Sequence, residues 1–331
     1  MDKINATPRQ LDVIVTAGDR AASRPVLQKN KVFLPIAGIP VINYVLSAVE
    51  RARCTARIIV VGDQARLEEA LALPNNPFQG QCPITVLEQS NTVCENVWNA
   101  FLHTLPGYQA GMDWHDYADI AADKAVLVMA GDIPLAIPEE IEEFVDSCDL
   151  TRYDYFMGFT TESTLRPYYP KADRPGIRMA YFTLRELQIR QNNLHLVKPF
   201  RIGNLPYIQR AYETRYQKEW RNIAKLIWQI VTARDVSLRA FGAVACLHIA
   251  RLVWRFGWQA FPFFRPFFLD LPMLASLASQ VLRTRFTTVM THYGGCTMDV
   301  DNEEHYQAIC ANFTRWLRHQ QLLAQELKQQ A

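Results

Sequence analysis

The sequence predicts an α/β fold built around a doubly wound, mostly parallel β-sheet. Short apolar runs of the kind found in buried strands recur along the first 150 residues. Segments with apolar residues at helical spacing lie between these runs. The loops after the runs carry glycine and charged residues, which is typical of β-loop-α units that bind ligands at the carboxyl ends of their strands.

Four strands and four helices alternate in this part of the sequence. The predicted strands cover 11–18, 57–63, 84–89 and 125–132, and the predicted helices cover 39–52, 65–73, 91–105 and 138–148. Pro40 and Pro138 stand where proline is favoured, in the first turn of a helix. Asn91 is a plausible N-cap of the third helix, with Glu95 in its first turns.

From residue 151 onward the pattern changes. Segments within 151–205 alternate apolar and polar residues and predict antiparallel strands. Residues 206–285 predict a helical insertion rich in aromatic and basic side chains. The segment 286–331 predicts a short strand, a loop and a long C-terminal helix that rejoin the core formed by 1–150.

Composition and charge exclude several classes of protein. The 331 residues have a formal net charge of +2, which does not suggest a nucleic-acid-binding protein. The seven cysteines are scattered without CxxC spacing, which predicts reduced thiols and a cytoplasmic location. The apolar stretch 241–282 is interrupted by charges and prolines, so we predict no transmembrane span. That stretch is either a buried helical cluster or a peripheral membrane surface.

Two carboxylate positions are candidates for a metal site. Asp132 follows a predicted buried strand and a glycine, where a carboxylate can approach a bound phosphate and hold Mg²⁺. The alternative is a turn or N-cap aspartate. Asp299 and Asp301 have the alternate spacing that points two side chains of an extended segment to one side. The alternative there is a strand end followed by a helix cap.

The loop over 18–31 follows the first strand and is basic. It contains Arg20, Arg24, Lys29 and Lys31. Such a loop can clamp a triphosphate and neutralise a departing pyrophosphate. The alternative is a solvated basic loop, since exposed lysine and arginine need no special reason.

These segments resemble, in the right order, the nucleotidyltransferases of the molybdenum-cofactor guanylyltransferase type, the MobA-like NTP transferases. VTAGDRAASRP and NKVFLPIAGIPVINYVLSAVERA are similar to the family's opening loop, lysine and following helix. VMAGDIPLAIPEEIEEFV resembles its Gly-Asp-x-Pro segment, and GCTMDVDNEEHYQAI resembles its closing Asp-x-Asp segment. The resemblance implies a Rossmann-like sheet of the GT-A type, with an antiparallel acceptor-side extension.

The resemblance also implies roles for individual residues. Lys31, Asp132 and Asp301 would be catalytic, and Mg²⁺ or Mn²⁺ would bind Asp132, Asp299 and Asp301. The nucleotide would contact residues of the opening loop and of the base-recognition stretch, namely Ala17, Gly18, Arg20, Arg24, Lys31, Glu88, Gln89 and Asn91. Either Arg20 or Arg24 would be the phosphate arginine, because GDRAASR has two extra residues before Arg24.

The acceptor side is predicted to face the same cleft. Arg178, Tyr181, Asn193 and Lys198 lie on its predicted strands, and an arginine and a lysine there would suit a phosphorylated or acidic acceptor. The alternative is protection of sheet edges by surface charges. The expected reaction transfers an NMP from an NTP to a small-molecule acceptor. The rival functions are a glycosyltransferase that uses a nucleotide sugar and a catalytically degenerate nucleotide-binding protein with a partner- or membrane-surface role.

Overall fold

A computed structural model describes residues 9–20, 25–185, 187–205, 208, 253 and 268–330. Ten strands are formed in this part of the chain, β1 to β10 in chain order: Leu11–Thr16, Pro35–Ile36, Ile39–Pro40, Thr55–Gly62, Ile84–Glu88, Val126–Ala130, Tyr155–Thr161, Phe182–Thr183, Gln188–Val197 and Phe286–Met290. β2 and β3 form a small antiparallel pair, and the other eight strands form one sheet. The four strands predicted in the first 150 residues are β1, β4, β5 and β6.

The large sheet has the strand order β10-β7-β9-β6-β1-β4-β5, with β8 paired to β9. β6, β1, β4 and β5 are mutually parallel, and β7 is parallel to β10. β9 runs antiparallel to both of its neighbours, β6 and β7. The sheet is therefore mostly parallel, and its reversed strand belongs to the predicted acceptor-side segment.

Eight α-helices accompany the sheet in the described residues, α1 to α8: Val41–Arg51, Gln64–Leu71, Val93–Leu102, His115–Ala118, Pro138–Asp146, Glu162–Leu165, Leu271–Leu282 and Glu303–Gln330. Alternate residues of β1 point to opposite faces. Val13 and Val15 pack in one core cluster with α1 and α5, whereas Ile14 packs in another with Phe101 of α3. Helices thus cover both faces of the sheet, which confirms the doubly wound fold.

The N-cap of α3 differs from the prediction. Asn91 is not the cap, because Thr92 has extended dihedral angles and its hydroxyl accepts from the backbone N–H of Glu95. The Glu95 carboxylate in turn accepts from the backbone N–H groups of Thr92 and Asn91. This reciprocal capping box needs a partner three residues after the cap, and Thr92 and Glu95 have that spacing.

The predicted helical insertion over 206–285 lies largely outside the described residues. Its last part forms α7, whose leucines pack against Phe159, Ile189 and Leu269. Most of the predicted membrane-surface stretch 241–282 is likewise outside the described residues. Among the helices that the structure describes, none is long and apolar enough to cross a bilayer.

The ends of β1 and β6 approach each other closely at the carboxyl edge of the sheet. The backbone N–H of Gly131, just after β6, donates to the carbonyl of Thr16 at 2.8 Å. A Cβ atom on Gly131 would lie 2.8 Å from the same carbonyl oxygen, which is closer than a side chain tolerates. Glycine at this position therefore lets the residue after it, Asp132, face the loop that follows β1.

Candidate active site

Asp132 and Lys31 meet at the carboxyl edge of the sheet. Asp132 follows β6 and is 7% exposed. Lys31 begins a short 3-10 helix, Lys31–Phe33, whose N-cap Asn30 accepts from Val32. The Asn30 amide also donates to the carbonyl of Ala17 at 3.1 Å, which ties this turn to the end of β1. The Lys31 ammonium consequently contacts the Asp132 carboxylate directly.

The closing Asp-x-Asp segment lies against Asp132. The backbone N–H of Val300 donates to the Asp132 carbonyl at 3.0 Å. This contact brings the two neighbouring aspartates into the site, where Lys31 Nζ lies 3.5 Å from Asp301 Oδ1. The structure thus brings Lys31, Asp132 and Asp301, which are far apart in the sequence, to one place.

A second cation, Arg190 of β9, completes this cluster. Its Nη2 atom lies 3.2 Å from Asp299 Oδ1 and 3.9 Å from Asp301 Oδ2. Lys31 and Arg190 therefore contact different oxygens of Asp301. We define these five residues, Lys31, Asp132, Arg190, Asp299 and Asp301, as the charge cluster.

The pKa values of the two later aspartates are shifted in opposite directions. Burial, followed by the charge of Asp301, raises the pKa of Asp299 above its usual range. Burial also acts to raise the pKa of Asp301, but Lys31 and a hydrogen bond with Asp299 lower it overall. Ionisation is therefore favoured at Asp301 and opposed at Asp299.

The donor set of the charge cluster suits a hard divalent cation. Mg²⁺ takes oxygen ligands and is commonly held by one or two carboxylates together with substrate phosphates. Within the described residues, no three histidine, cysteine, aspartate or glutamate side chains converge as a ready-made metal site. The carboxylates of the charge cluster are therefore candidates for holding a cation together with a bound phosphate.

The loop after β1 is held by the side chain of Gln89, which follows β5. The backbone N–H of Asp19 donates to Gln89 Oε1 at 2.8 Å, and Gln89 Nε2 donates back to the Asp19 carboxylate at 2.9 Å. A Cβ on Gly18 would lie 2.9 Å from both Gln89 Oε1 and Asn96 Nδ2. Gly18 thus lies directly against the stretch predicted to recognise the base.

The remaining residues predicted to bind the nucleotide are placed in different ways. Arg20 donates to the Gln89 carbonyl at 2.8 Å and pairs with Glu88 at 3.0 Å on the exposed rim of this loop. Asn91 is exposed and uses its backbone N–H to bind Glu95. Arg24 lies outside the described residues, so the choice between Arg20 and Arg24 as phosphate arginine stays a prediction.

Two predicted acceptor residues lie on the flank beyond the carboxyl end of β7. The Arg178 guanidinium stacks on the Tyr169 ring, 5.6 Å from its centroid. The phenol oxygens of Tyr181 and Tyr169 are 2.8 Å apart, and that of Tyr169 is 3.0 Å from Glu162. Since a carboxylate only accepts, Tyr169 donates to Glu162, and Tyr181 is left to donate to Tyr169.

Asn193 hydrogen-bonds to the turn that leads into the closing segment. Its φ of 58° is in the left-handed region, which asparagine tolerates better than most residues. Its amide donates to the carbonyl of Cys296 at 2.9 Å, three residues before Asp299. This contact indicates that Asn193 positions the closing segment; the structure gives it no contact with the charge cluster.

Lys198 does not reach the predicted cleft. Because β9 runs antiparallel to β6, Lys198 follows β9 at the amino end of β6, opposite Asp132. It is 5% exposed, and its ammonium donates to the Leu150 carbonyl and pairs with Asp154 at 3.3 Å. It therefore belongs to an ion network at the amino end of the strands and cannot contact a substrate beside Asp132.

Sequence reasoning missed two residues of this site. Arg190 stands in an alternating strand, and nothing local distinguishes it from the other arginines of that segment. Asn96 lies inside an amphipathic helix, is 3% exposed and accepts from the backbone N–H of Ser90. A buried asparagine on an apolar helix face is the signal that could have indicated Asn96.

Comparison with protein families agrees with this geometry. A sequence model of the MobA-like NTP transferase domain matches residues 13–181. The chain belongs to this family. The match includes the loop after β1, Lys31 and Asp132, so nucleotidyl transfer is the general class of chemistry to which this MobA-like protein belongs. No match was found among curated proteins.

One solved structure has a fold similar to that of this MobA-like protein, and two others align over most of the chain. A hypothetical transferase from Thermus thermophilus is 20% identical, with 89% of this chain and 99% of that chain covered and a TM-score of 0.58. CMP:2-keto-3-deoxy-manno-octonic acid synthetase complexed with CTP is 12% identical, with 92% and 99% covered and a TM-score of 0.43. The 4-diphosphocytidyl-2C-methyl-D-erythritol synthase from Anaerococcus prevotii is 13% identical, with 92% and 98% covered and a TM-score of 0.42.

The residues matched by the family model include only part of the charge cluster of this MobA-like protein. Lys31 and Asp132 lie within the matched residues, whereas Arg190, Asp299 and Asp301 come after residue 181. The first two are supplied by the parallel part of the sheet. The last three are supplied by the reversed strand and the closing segment, which come later in the chain.

Proposed function

We propose that the protein is a metal-dependent nucleotidyltransferase that moves an NMP from an NTP to a phosphorylated or acidic small-molecule acceptor and releases pyrophosphate. The observation that carries the proposal is the meeting of Lys31 with Asp132 and Asp301 at the carboxyl edge of a family-typical sheet. Ligands of open α/β sheets bind at this edge.

The residues of the site divide the work by charge. Ala17, Gly18 and Gln89 would lie against base and ribose, because Gly18 adjoins Gln89 where the loop after β1 begins. Lys31, with Arg20 or Arg24, would neutralise the α-phosphate and the departing pyrophosphate. The acceptor oxygen would attack the α-phosphorus in line, so the protein contributes mainly positioning and electrostatic stabilisation.

The proposal includes a divalent cation, which carboxylates of this chain would hold. Asp132, with Asp299 or Asp301, would hold Mg²⁺ or Mn²⁺, which would neutralise phosphate charge when bound. In the structure Lys31 contacts Asp132 and Asp301. Lys31, which adjoins the same carboxylates, would contact the phosphate oxygens of a nucleotide bound there.

A two-step experiment tests the proposal. The four NTPs with Mg²⁺ are first compared for their effect on melting temperature, since a ligand of the native state must raise it by mass action. Pyrophosphate release is then measured with the stabilising NTP and a panel of sugar phosphates and sugar acids. We expect one NTP to stabilise the protein and at least one acceptor to release pyrophosphate.

Asp132→Asn provides the critical variant. Asparagine keeps the size and the backbone contacts of Asp132 but removes the charge, so we expect pyrophosphate release to fall by about a hundredfold or more with the fold intact. Asp116→Asn, which changes an exposed aspartate of α4, serves as the matched control. Undiminished turnover by Asp132→Asn would contradict the metal assignment, and release of a nucleoside diphosphate from a nucleotide sugar would indicate the rival glycosyltransferase.

A further inference from the structure

Arg190 approaches the charge cluster from the side opposite to the nucleotide loop. Lys31 follows β1, Arg190 lies on β9, and β6, which carries Asp132 at its end, lies between those two strands. Arg190 is in register with Thr160, near the carboxyl end of β7. If the loop after β1 holds an NTP, Lys31 would lie on the same side of the carboxylates as the NTP. Arg190 would lie on the opposite side.

The Arg190 guanidinium is fixed but not saturated. Nη1 donates to the Ala180 carbonyl at 3.3 Å, and Nη2 donates to Asp299 at 3.2 Å. A guanidinium carries five N–H donors in a planar fork. Nε is buried and finds no acceptor among the residues that the structure describes. The guanidinium therefore keeps N–H donors that the described residues leave unused.

The surroundings of Arg190 belong to the acceptor flank. Its bond to Ala180 places it beside Tyr181, which is joined through Tyr169 to Glu162. Arg178 stacks on the same Tyr169 ring. This flank thus offers two arginines and two phenol oxygens, which can accept from a ligand hydroxyl although their own hydrogens are already donated. Such a combination suits a small molecule that has hydroxyl groups and an anionic group.

We propose that Arg190 binds the anionic group of the acceptor, a phosphate or a carboxylate, and so selects the acceptor. The inference rests on the proposed nucleotidyl transfer and adds the residue that recognises the second substrate. Arginine suits this role because its fork matches the paired oxygens of both groups. The ion pair with Asp299 and Asp301 would then hold the guanidinium in place before the acceptor arrives.

Direct anion binding tests the proposal without a known acceptor. Inorganic phosphate and acetate are titrated separately at constant ionic strength, and the dissociation constant is taken from the rise in melting temperature. The proteins are wild type, Arg190→Gln, Arg190→Lys, Lys31→Met and Arg174→Gln. Lys31→Met removes the nucleotide-side cation, and Arg174, paired with Asp173 on the same flank, is the matched control.

We expect an anion-binding event that survives Lys31→Met and Arg174→Gln and is weakened about tenfold or more by Arg190→Gln. Arg190→Lys keeps the charge beside Asp299 but loses the fork, so its binding should fall between those of wild type and Arg190→Gln. The tighter of phosphate and acetate names the acceptor class. Wild-type affinity in folded Arg190→Gln, or in Arg190→Lys should the first variant fail to fold, would overturn the proposal, as would no anion binding by the wild type.

Kinetics then separate recognition from a structural role. With an acceptor from the panel, Arg190→Lys should raise the acceptor KM by about tenfold and leave the KM for NTP unchanged. An equal rise in both KM values would overturn the acceptor assignment. Failure of this inference is distinguishable from failure of the proposed function, because the latter is measured by NTP stabilisation and by Asp132→Asn.

Discussion

Lys31 and Arg190 divide the negative charge of three carboxylates between them. Lys31 contacts Asp132 and Asp301, and Arg190 contacts Asp299 and Asp301, with all five side chains at least partly buried. Burying a charge is costly unless it is paired, so the cluster is stable only because each carboxylate has a cation beside it. The same pairing keeps both cations within reach of a substrate bound at this edge.

Glu140 of α5 holds the turn that precedes Asp299 of the charge cluster. It is fully buried, and its Oε2 accepts from the backbone N–H of Cys296 at 2.9 Å. A Cβ on Gly295 would lie 2.1 Å from the Leu135 carbonyl, so the turn must have glycine there to pack so tightly. Because this turn leads into the closing segment, Glu140 positions Asp299 through the backbone.

We predict a pH-dependent stability difference between wild type and Glu140→Gln. Burial raises the pKa of Glu140 to about 8, above its value in the unfolded chain. The wild type is therefore most stable below the unfolded pKa and loses stability as pH rises toward 8. Glutamine keeps an acceptor for Cys296 without titrating. Chemical denaturation at pH 5 and pH 8.5 should show Glu140→Gln gaining on the order of 2 kcal/mol relative to wild type at the higher pH.

Glu140→Leu provides the control for this prediction. It leaves the Cys296 N–H without its acceptor and should destabilise the protein at both pH values. Parallel pH profiles for wild type and Glu140→Gln would contradict the raised pKa of Glu140.

At the scale of elements, helix α3 links a local capping signal in the sequence to the loop after β1. Its first turn is fixed by the capping box of Thr92 and Glu95. One turn later it presents Asn96, which lies against Gly18 and binds the backbone of Ser90. The placement of the loop after β1 therefore depends on where this helix begins.

We predict that Thr92→Ala lowers the free energy of unfolding by about 1 kcal/mol, because the Glu95 N–H loses its acceptor. Thr92→Ser keeps the hydroxyl and should remain within a few tenths of a kcal/mol of wild type. Urea denaturation measures both variants. Equal stabilities of Thr92→Ala and Thr92→Ser would show that the capping bond does not stabilise the helix.

At the scale of the whole molecule, different groups of charged residues lie at the two ends of the strands. The carboxyl edge holds the charge cluster. The amino edge holds an ion network in which Asp154 accepts two 2.6 Å bonds from Arg285 and pairs with buried Lys198. The Arg285 bonds, working against burial, lower the pKa of Asp154, so the network contributes stability that is lost as pH falls through that pKa.

We predict that Asp154→Asn separates stability from binding. It leaves the ammonium of Lys198 buried with one partner fewer, which should cost about 3 kcal/mol of stability. The remaining folded protein should bind its NTP with unchanged affinity, because the seven residues of β7 separate the two edges by roughly 20 Å. Thermal unfolding and nucleotide titration test both parts. Weakened NTP binding by folded Asp154→Asn would show that the two edges are coupled.

The positions of the early strands and helices were predictable because their signals are local. The apolar runs before Gly18 and Asp132 each form a buried strand, and the family resemblance in those segments is confirmed. The cap of α3 was displaced by one residue, because Asn91 and Thr92 are both good caps and only Thr92 has a glutamate three residues later. The helical insertion over 206–285 and the roles of the site residues stay predictions.

The sequence by itself determined the doubly wound sheet, the loop after β1 and the aspartates near its edge, since burial and turn chemistry are written over a few neighbouring residues. Only the tertiary structure decided which charges meet. Arg190 and Lys198 lie on or next to the same strand, yet β9 spans about 30 Å and runs antiparallel to β6. Strand direction and length place Arg190 at the carboxyl edge beside Asp299 and Lys198 at the amino edge beside Asp154, and no local pattern encodes that direction.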